Sequence, residues 1–168
     1  MASSEPTPTQ IDDRRRDIDR WLGNYSEDHR NPINIKLHHL CVPLIVWSVV
    51  AALWILPVPG LIGRPGLWAA LAIVAATGFY LRLSRPLALV MLLLFAALSA
   101  LTDVLHRTIG TDMLLLTAIA VFVLAWVGQF VGHQIEGKRP SFLTDLVYLL
   151  IGPVWIAAKL MRRMHIAY

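Results

Sequence analysis

Four stretches of this 168-residue chain contain no Asp, Glu, Lys or Arg, and each is long enough to cross a lipid bilayer. A transmembrane helix needs about 20 mostly apolar residues, with a range of roughly 17–25. The charge-free stretches lie between Lys36 and Arg64, between Arg64 and Arg82, between Arg85 and Asp103, and between Asp112 and Glu136. They predict an all-α membrane protein with four transmembrane helices, near residues 38–56, 66–82, 86–102 and 113–133.

The composition agrees with this class of protein. Apolar residues make up 57% of the chain, charged residues 15%, and the mean hydropathy is +0.60. A soluble domain is nearer half apolar and a quarter charged. These values exclude an ordinary cytosolic enzyme, a disordered protein and a soluble nucleic-acid-binding domain. One cysteine, Cys41, excludes an internal disulfide and a thiolate zinc site. Apolar surfaces between the short spans permit a homodimer.

The segment before the first span predicts a disordered tail over residues 1–9, followed by an amphipathic helix. From residue 10 to residue 25 the apolar side chains share one helical face, and the opposite face is rich in arginine. Two interpretations are equally open: the helix lies on an anionic membrane surface, or it docks on the protein's own loops. Residues 10–168 are interpreted as a single membrane domain.

A fifth apolar run lies near the C-terminus, between Asp145 and Lys159, and its 13 residues are too few to cross easily. The dipeptide Gly152-Pro153 within it is expected to break a helix. We therefore expect a re-entrant or interfacial hairpin over about residues 141–160.

Basic residues give the orientation. With four spans, 13 of the 15 Lys and Arg residues lie on the side that holds both termini, and two lie on the other. Since cytoplasmic loops carry the excess of Lys and Arg, both termini are expected in the cytoplasm. No internal repeat is evident, which disfavours a transporter built from inverted halves.

Three histidines far apart in the sequence, His29, His38 and His133, are expected at the same cytoplasmic level of the bundle. His29 can approach His38 only if the chain bends at Asn31-Pro32, because nine helical residues would place them on opposite faces. Three histidines at one depth point to a metal site. The other histidines are not expected in it: His39 points away from His38, His106 lies in the opposite loop, and His165 lies in the tail.

Polar residues at helical spacing flank these histidines. Asn34 lies one turn before His38, and Gln129 and Glu136 share a face with His133. Polar groups in a membrane segment generally face the bundle interior and mark function, although interhelical hydrogen bonding alone is the alternative. Imidazole and carboxylate ligands suit iron, zinc or manganese, and open positions beside histidines suit Fe(II) with O2.

Lys138 and Arg139 follow the fourth span. The preferred interpretation is that they are positive charges that fix the membrane topology. The alternative is that one of them binds a substrate carboxylate.

Two motifs resemble the signatures of a known family, the 2-hydroxy fatty acid dioxygenases first recognised in yeast. The first is HRNPINIKLH (29–38), followed by Val42-Pro43. The second is QFVGH (129–133), followed by Glu136, Lys138, Arg139 and Pro140. Gly152-Pro153 in the apolar tail segment also fits. The resemblance covers about residues 20–160. Two residues separate His133 from Glu136 where three are typical of the family, which rotates the carboxylate by about 100°.

The resemblance implies an Fe(II)-dependent α-oxidation, in which a 2-hydroxy fatty acid and O2 give a fatty acid one carbon shorter. By matching motifs, His29, His38 and His133 would be the iron ligands. Glu136, Asn34 and Gln129 would provide a further ligand or surround the first ones. The short loops suggest a bacterial inner membrane, with the endoplasmic reticulum as the eukaryotic equivalent.

Two other functions stay open on the residues alone. A non-catalytic membrane scaffold or assembly protein would use the histidines structurally and bind no metal. A haem protein would use histidine pairs as axial ligands, but these histidines lie at the ends of spans rather than well inside the membrane.

Overall fold

The computed structural model describes residues 17–60, 64–140 and 147–168, and every regular element in them is a helix. The five helices are α1 (Asp17–Glu27), α2 (Pro32–Trp54), α3 (Leu67–Leu83), α4 (Arg85–Glu136) and α5 (Tyr148–Arg163). Two of them, α2 and α4, are long and apolar enough to cross a membrane, and α3 is a shorter apolar helix. The all-α class is confirmed. The tail predicted at 1–9 lies outside the described residues.

Helix α4 is a helical hairpin rather than one rod. Gly110 has φ 79° and ψ 174°, a conformation essentially restricted to glycine, and it separates a first arm (85–109) from a second arm (111–136). Phe95 and Trp126 line one cavity, although a straight helix would hold them about 46 Å apart. His106 Nε2 and Thr111 Oγ1 lie 3.0 Å apart across the break. The arms coincide with the predicted spans at 86–102 and 113–133.

Helix α2 packs antiparallel against the second arm. Cys41 and Asn34 lie so close to Gly128 and Gly132 that a Cβ at either glycine would overlap them. At the opposite end of the pair, a separate apolar cluster contains Trp47, Ala51, Leu114 and Ala118. The two glycines therefore bring the N-terminal end of α2 against the C-terminal end of α4.

Helix α1 docks on the protein itself. Its apolar face, Ile18, Leu22 and Tyr25, is buried in one cluster with residues of α5. The indole Nε1 of Trp155 donates to Ser26 Oγ at 2.8 Å. Of the two interpretations of this segment, docking on the protein is the one observed, with α5 rather than a loop as the partner. Its predicted start at residue 10 lies outside the described residues.

Helix α5 corrects the expectation for the C-terminal segment. It runs through Gly152-Pro153 without reversing, so the predicted hairpin at that dipeptide is wrong. The proline removes only one backbone hydrogen bond, and the missing side chain of Gly152 makes room for Tyr25, whose Oη would lie 3.0 Å from a Cβ there. Tyr80 Oη also donates to Leu150 O at 2.8 Å. Packing against neighbours therefore outweighs the helix-breaking tendency.

Candidate metal centre

Three chain segments bring the predicted histidines together. His29 lies in the turn between α1 and α2, His38 nearly two turns inside α2, and His133 near the end of α4. Their side chains are only 3%, 2% and 5% exposed. One nitrogen from each lies within 4.8 Å of the others, so the three can hold a metal ion together. The juxtaposition predicted from the sequence is therefore present.

The turn that carries His29 has a local cause. Helix α1 ends at Glu27, and Asn31 adopts an extended conformation before Pro32 begins α2. The Asn31 side chain accepts from Ile33 N at 2.9 Å and caps the new helix. This is the bend that the Asn31-Pro32 dipeptide indicated, and it folds His29 back over the first turns of α2.

Hydrogen bonds fix the tautomers of two histidines. His29 Nδ1 lies 2.6 Å from Tyr25 O, and His38 Nδ1 lies 3.0 Å from Asn34 O. A carbonyl oxygen only accepts, so each Nδ1 carries the proton. The two Nε2 atoms, 2.9 Å apart, then present lone pairs to each other. Two facing lone pairs repel each other unless a cation lies between or beside the nitrogens. In addition, metal-ligating histidines typically donate their other ring N–H to a carbonyl, as both Nδ1 atoms do here.

The surroundings of His29 favour its neutral form. Burial lowers the pKa of His29 below its usual value, although the Tyr25 carbonyl and the nearby carboxylates of Asp28 and Glu136 partly oppose the shift. The Tyr25 ring stacks on the imidazole at 4.1 Å between centroids. Because a metal ligand must be deprotonated, this environment suits the role.

Glu136 does not lie among the histidine nitrogens. Its carboxylate accepts from Arg30 N at 3.0 Å, from Asn31 N at 2.8 Å and from Asn34 Nδ2 at 3.0 Å. These donors belong to the first residues of α2 and the turn before it, where backbone N–H groups have no partner within the helix. Glu136 therefore ties the end of α4 to the turn that carries His29.

Two amides lie beside the histidines. Asn34 is fully buried, and its Oδ1 has no hydrogen-bond partner among the described residues. Gln129 is 5% exposed, and its Nε2 likewise lacks a partner in the described part of the chain. Gln129 lines a cavity of about 60 Å³ together with His38 and His133. Its amide is therefore a buried donor beside the candidate metal centre.

The basic pair after α4 has two different environments. Lys138 Nζ donates to Glu27 O at 2.9 Å and to Asp28 Oδ1 at 3.1 Å, which fastens the end of α4 to the end of α1. Arg139 is exposed. Lys138 therefore has a structural contact, whereas nothing yet assigns a substrate role to either residue.

The remaining histidines lie outside the three-histidine cluster, although the ring of His39 lies 5.7 Å from that of Trp155. His39 is exposed, and its Nδ1 lies 2.6 Å from Ile35 O. His106 lies beside the Gly110 break, and His165 is an exposed residue with φ 57° after α5. As expected from the sequence, none of the three belongs to the group of described residues that could hold a metal ion.

Sequence reasoning did not anticipate the aromatic wall of the site. Tyr25 and Trp155 contact the histidines, with Trp155 at 5.5 Å from His29 between ring centroids. Tyr25 also supplies the carbonyl that fixes the His29 tautomer. A four-residue spacing between Tyr25 and His29 was the available signal, but only if α1 was taken to dock on the protein.

These features define a small all-helical protein with membrane-length helices and a buried three-histidine centre suited to a metal ion. The sequence profile of the Mpo1-like family, described as 2-hydroxy-palmitic acid dioxygenase Mpo1-like, matches residues 15–164, and the chain belongs to this family. It is 32% identical over 143 residues to the 2-hydroxy-palmitic acid dioxygenase MPO1 of Saccharomyces cerevisiae. That match covers 83% of this chain and 77% of the yeast protein.

No solved structure matches the chain. The family inferred from the two histidine motifs is confirmed, and the kinship indicates an oxidoreductase.

Proposed function

We propose that this protein is an Fe(II)-dependent dioxygenase that converts long-chain 2-hydroxy fatty acids into fatty acids one carbon shorter. The observation that carries the proposal is the pair of imidazole Nε2 lone pairs, on His29 and His38, that converge at 2.9 Å beside His133. Family membership supplies the reaction class and the relative's substrate. Imidazole is a ligand that suits iron. Within the described residues, the cluster consists of the three histidines alone.

The proposed reaction balances in atoms and electrons. A 2-hydroxy acid and O2 give the shortened acid, CO2 and water, since the C1–C2 bond breaks and O2 takes up four electrons. When bound, Fe(II) would supply the redox chemistry that lets O2 react with an organic acid. The histidines hold that ion, and the remaining residues bind and orient the substrate.

The residues around the histidines have assignable roles in this proposal. The unpartnered Nε2 of Gln129 donates to an oxygen of the substrate headgroup in the small cavity beside His38 and His133. Asn34 and Glu136 hold the turn that positions His29. Arg139, which is exposed beside the site, attracts the carboxylate from the membrane surface, and Lys138 contributes to the same positive field.

A membrane location fits a substrate dissolved in lipid. We propose that α2, α3 and both arms of α4 cross the bilayer as four spans, with both termini in the cytoplasm of a bacterial inner membrane or of the endoplasmic reticulum. The excess of basic residues on that side supports this orientation. It places the histidines at the cytoplasmic membrane face, within reach of an acid whose tail stays in the bilayer.

The first test is O2 consumption by the detergent-solubilised protein supplied with Fe(II) and 2-hydroxypalmitate, with products measured by mass spectrometry. We expect oxygen uptake and a product shorter by one carbon. His29→Ala, His38→Ala and His133→Ala are each expected to abolish turnover, while exposed His165→Ala leaves it unchanged. The iron content of every variant is measured alongside.

The outcomes separate the alternatives. Bound iron without oxygen uptake would overturn the substrate assignment and leave a metalloprotein. The absence of both iron and uptake would favour the scaffold protein. Full activity in all three histidine variants would instead overturn the assignment of the histidines as the active site.

A further inference from the structure

An apolar chamber of about 290 Å³ lies beside the metal centre. Its walls come from α2, α3, both arms of α4 and the start of α5, which makes it the place where most of the fold meets. Its lining side chains are aliphatic, aromatic or proline, and Tyr80 carries the one hydroxyl among them. That hydroxyl is already donated to Leu150 O. The chamber therefore suits a hydrocarbon, and the indole of Trp126 is the other side chain on its lining that carries a polar atom.

The chamber adjoins the small cavity at the histidines. Five residues line both spaces: Ile45, Val46, Trp126, Leu149 and Pro153. The polar residues Gln129, His38 and His133 line only the small cavity. A ligand that spans both spaces must therefore have a polar head at the histidines and an apolar tail in the chamber.

The small cavity and the chamber together have a direction and a length. Tyr80 lies near the shared residues, because it contacts Leu150 at the start of α5, whereas the far end is lined by Leu53 and Ala69. Along α2, the path from His38 to Leu53 covers 15 residues, or about 22 Å. An extended chain advances about 1.2 Å per bond, so this length holds roughly 18 bonds.

We propose that the chamber binds the acyl chain of the substrate in an extended form, and that Leu53 and Ala69 set the maximum chain length. The inference rests on the proposed function for the identity of the headgroup. It deepens that function by naming the residues that limit the accepted chain to about 16–18 carbons.

The test places bulk at two depths on the same helix. Ala76 and Ala69 both line the chamber and lie seven residues apart, about 10 Å along α3. Ala69→Leu is expected to lower kcat/KM about tenfold for 18-carbon acids and to spare those of 14 carbons or fewer. Ala76→Leu is expected to lower it about tenfold for all acids above 10 carbons. Ala75→Leu, on the exposed side of α3, is the matched control and leaves the profile unchanged.

A loss of activity in the bulky variants could also come from misfolding, so a variant that enlarges the chamber is needed. Leu53→Ala is expected to extend the accepted range to acids of 20 carbons or more, a gain that a damaged protein does not produce. Unchanged chain-length profiles in both Ala69→Leu and Leu53→Ala would overturn the proposal.

Direct binding distinguishes this inference from the function on which it rests. Metal-free protein is mixed with equal amounts of 2-hydroxy acids of 8 to 20 carbons, and native mass spectrometry identifies the acids retained. Selective retention of the 16- and 18-carbon acids, lost in Ala76→Leu, supports the chamber even if no turnover is found. Turnover without any chain-length selection by the chamber variants would refute the chamber and leave the proposed function intact.

Discussion

At the scale of single residues, the site depends on groups that fix the histidines as much as on the histidines themselves. His29 is the one member outside a helix, and its position follows from the carboxylate of Glu136 on one side and the Tyr25 carbonyl on the other. The sequence indicated that Glu136 belonged near the site, because it shares a face with Gln129 and His133. It did not indicate that the carboxylate would take backbone N–H groups, since that depends on how closely α2 approaches α4.

Replacing Glu136 with Ala is expected to loosen the turn. The amides of Arg30 and Asn31 would lose their acceptor, at a cost of about 1 kcal/mol in the free energy of unfolding. Hydrogen exchange should be faster at these two amides. A metal titration should show weaker binding. Exposed Gln134→Ala on the same helix end is the control. Unchanged exchange at Asn31 would contradict the assigned role of the carboxylate.

At the scale of the elements, the fold is set by where helices can approach and where they must turn. The apolar runs predicted the positions of α2, α3 and both arms of α4, because each run is bounded by charges. The prediction of a hairpin for α5 was wrong, because it rested on the low helix propensity of Gly152-Pro153. Tertiary contacts stabilise the helix in spite of that propensity. The docking of α1 on α5 could not be derived either, because the apolar face of an amphipathic helix can be buried against a membrane surface or against the protein.

The close contact between α2 and α4 gives a prediction for Gly132. A Cβ at this position would overlap Asn34 Oδ1, so Gly132→Ala must either displace the Asn34 side chain from its contact with Glu136 or push the two helices apart beside the histidines. We expect a loss of about 1–3 kcal/mol in the free energy of unfolding, together with weaker metal binding. Thermal unfolding in detergent and metal titration are the measurements.

Gly78→Ala is the matched control for Gly132→Ala. A Cβ at Gly78 in α3 meets nothing within 4 Å. Alanine in a helix is favoured over glycine, so this variant should be as stable as the parent or slightly more so. Equal behaviour of the two alanine variants would mean that the approach of α2 to α4 does not limit the site.

At the scale of the whole molecule, the metal centre joins parts of the chain that are distant in sequence. His29 belongs to the N-terminal segment, His38 to α2 and His133 to the end of α4. Sequence reasoning reached this arrangement because the predicted topology brings all three histidines to one end of the helices. It could not predict the apolar chamber, since a space between four helices depends on how their side chains pack.

Metal removal should therefore act on the stability of the whole fold. An ion bound only by the folded state raises its stability by about 2.7 kcal/mol at a free concentration 100 times the dissociation constant. We expect the Tm to fall by several degrees on chelation and to recover when Fe(II) is returned under anaerobic conditions. The Tm of His38→Ala should not change on chelation. An unchanged Tm in the parent protein would count against an ion shared by the three histidines.

The docking of α1 on α5 has a consequence for biosynthesis. The ribosome makes the chain from the N-terminus, so Tyr25 and His29 emerge well before Trp155, on which α1 rests. A truncated chain that ends before α5 contains every histidine of the centre but lacks the surface that holds α1 in place. We therefore expect α1, and with it His29, to be held in place only after α5 has been synthesised.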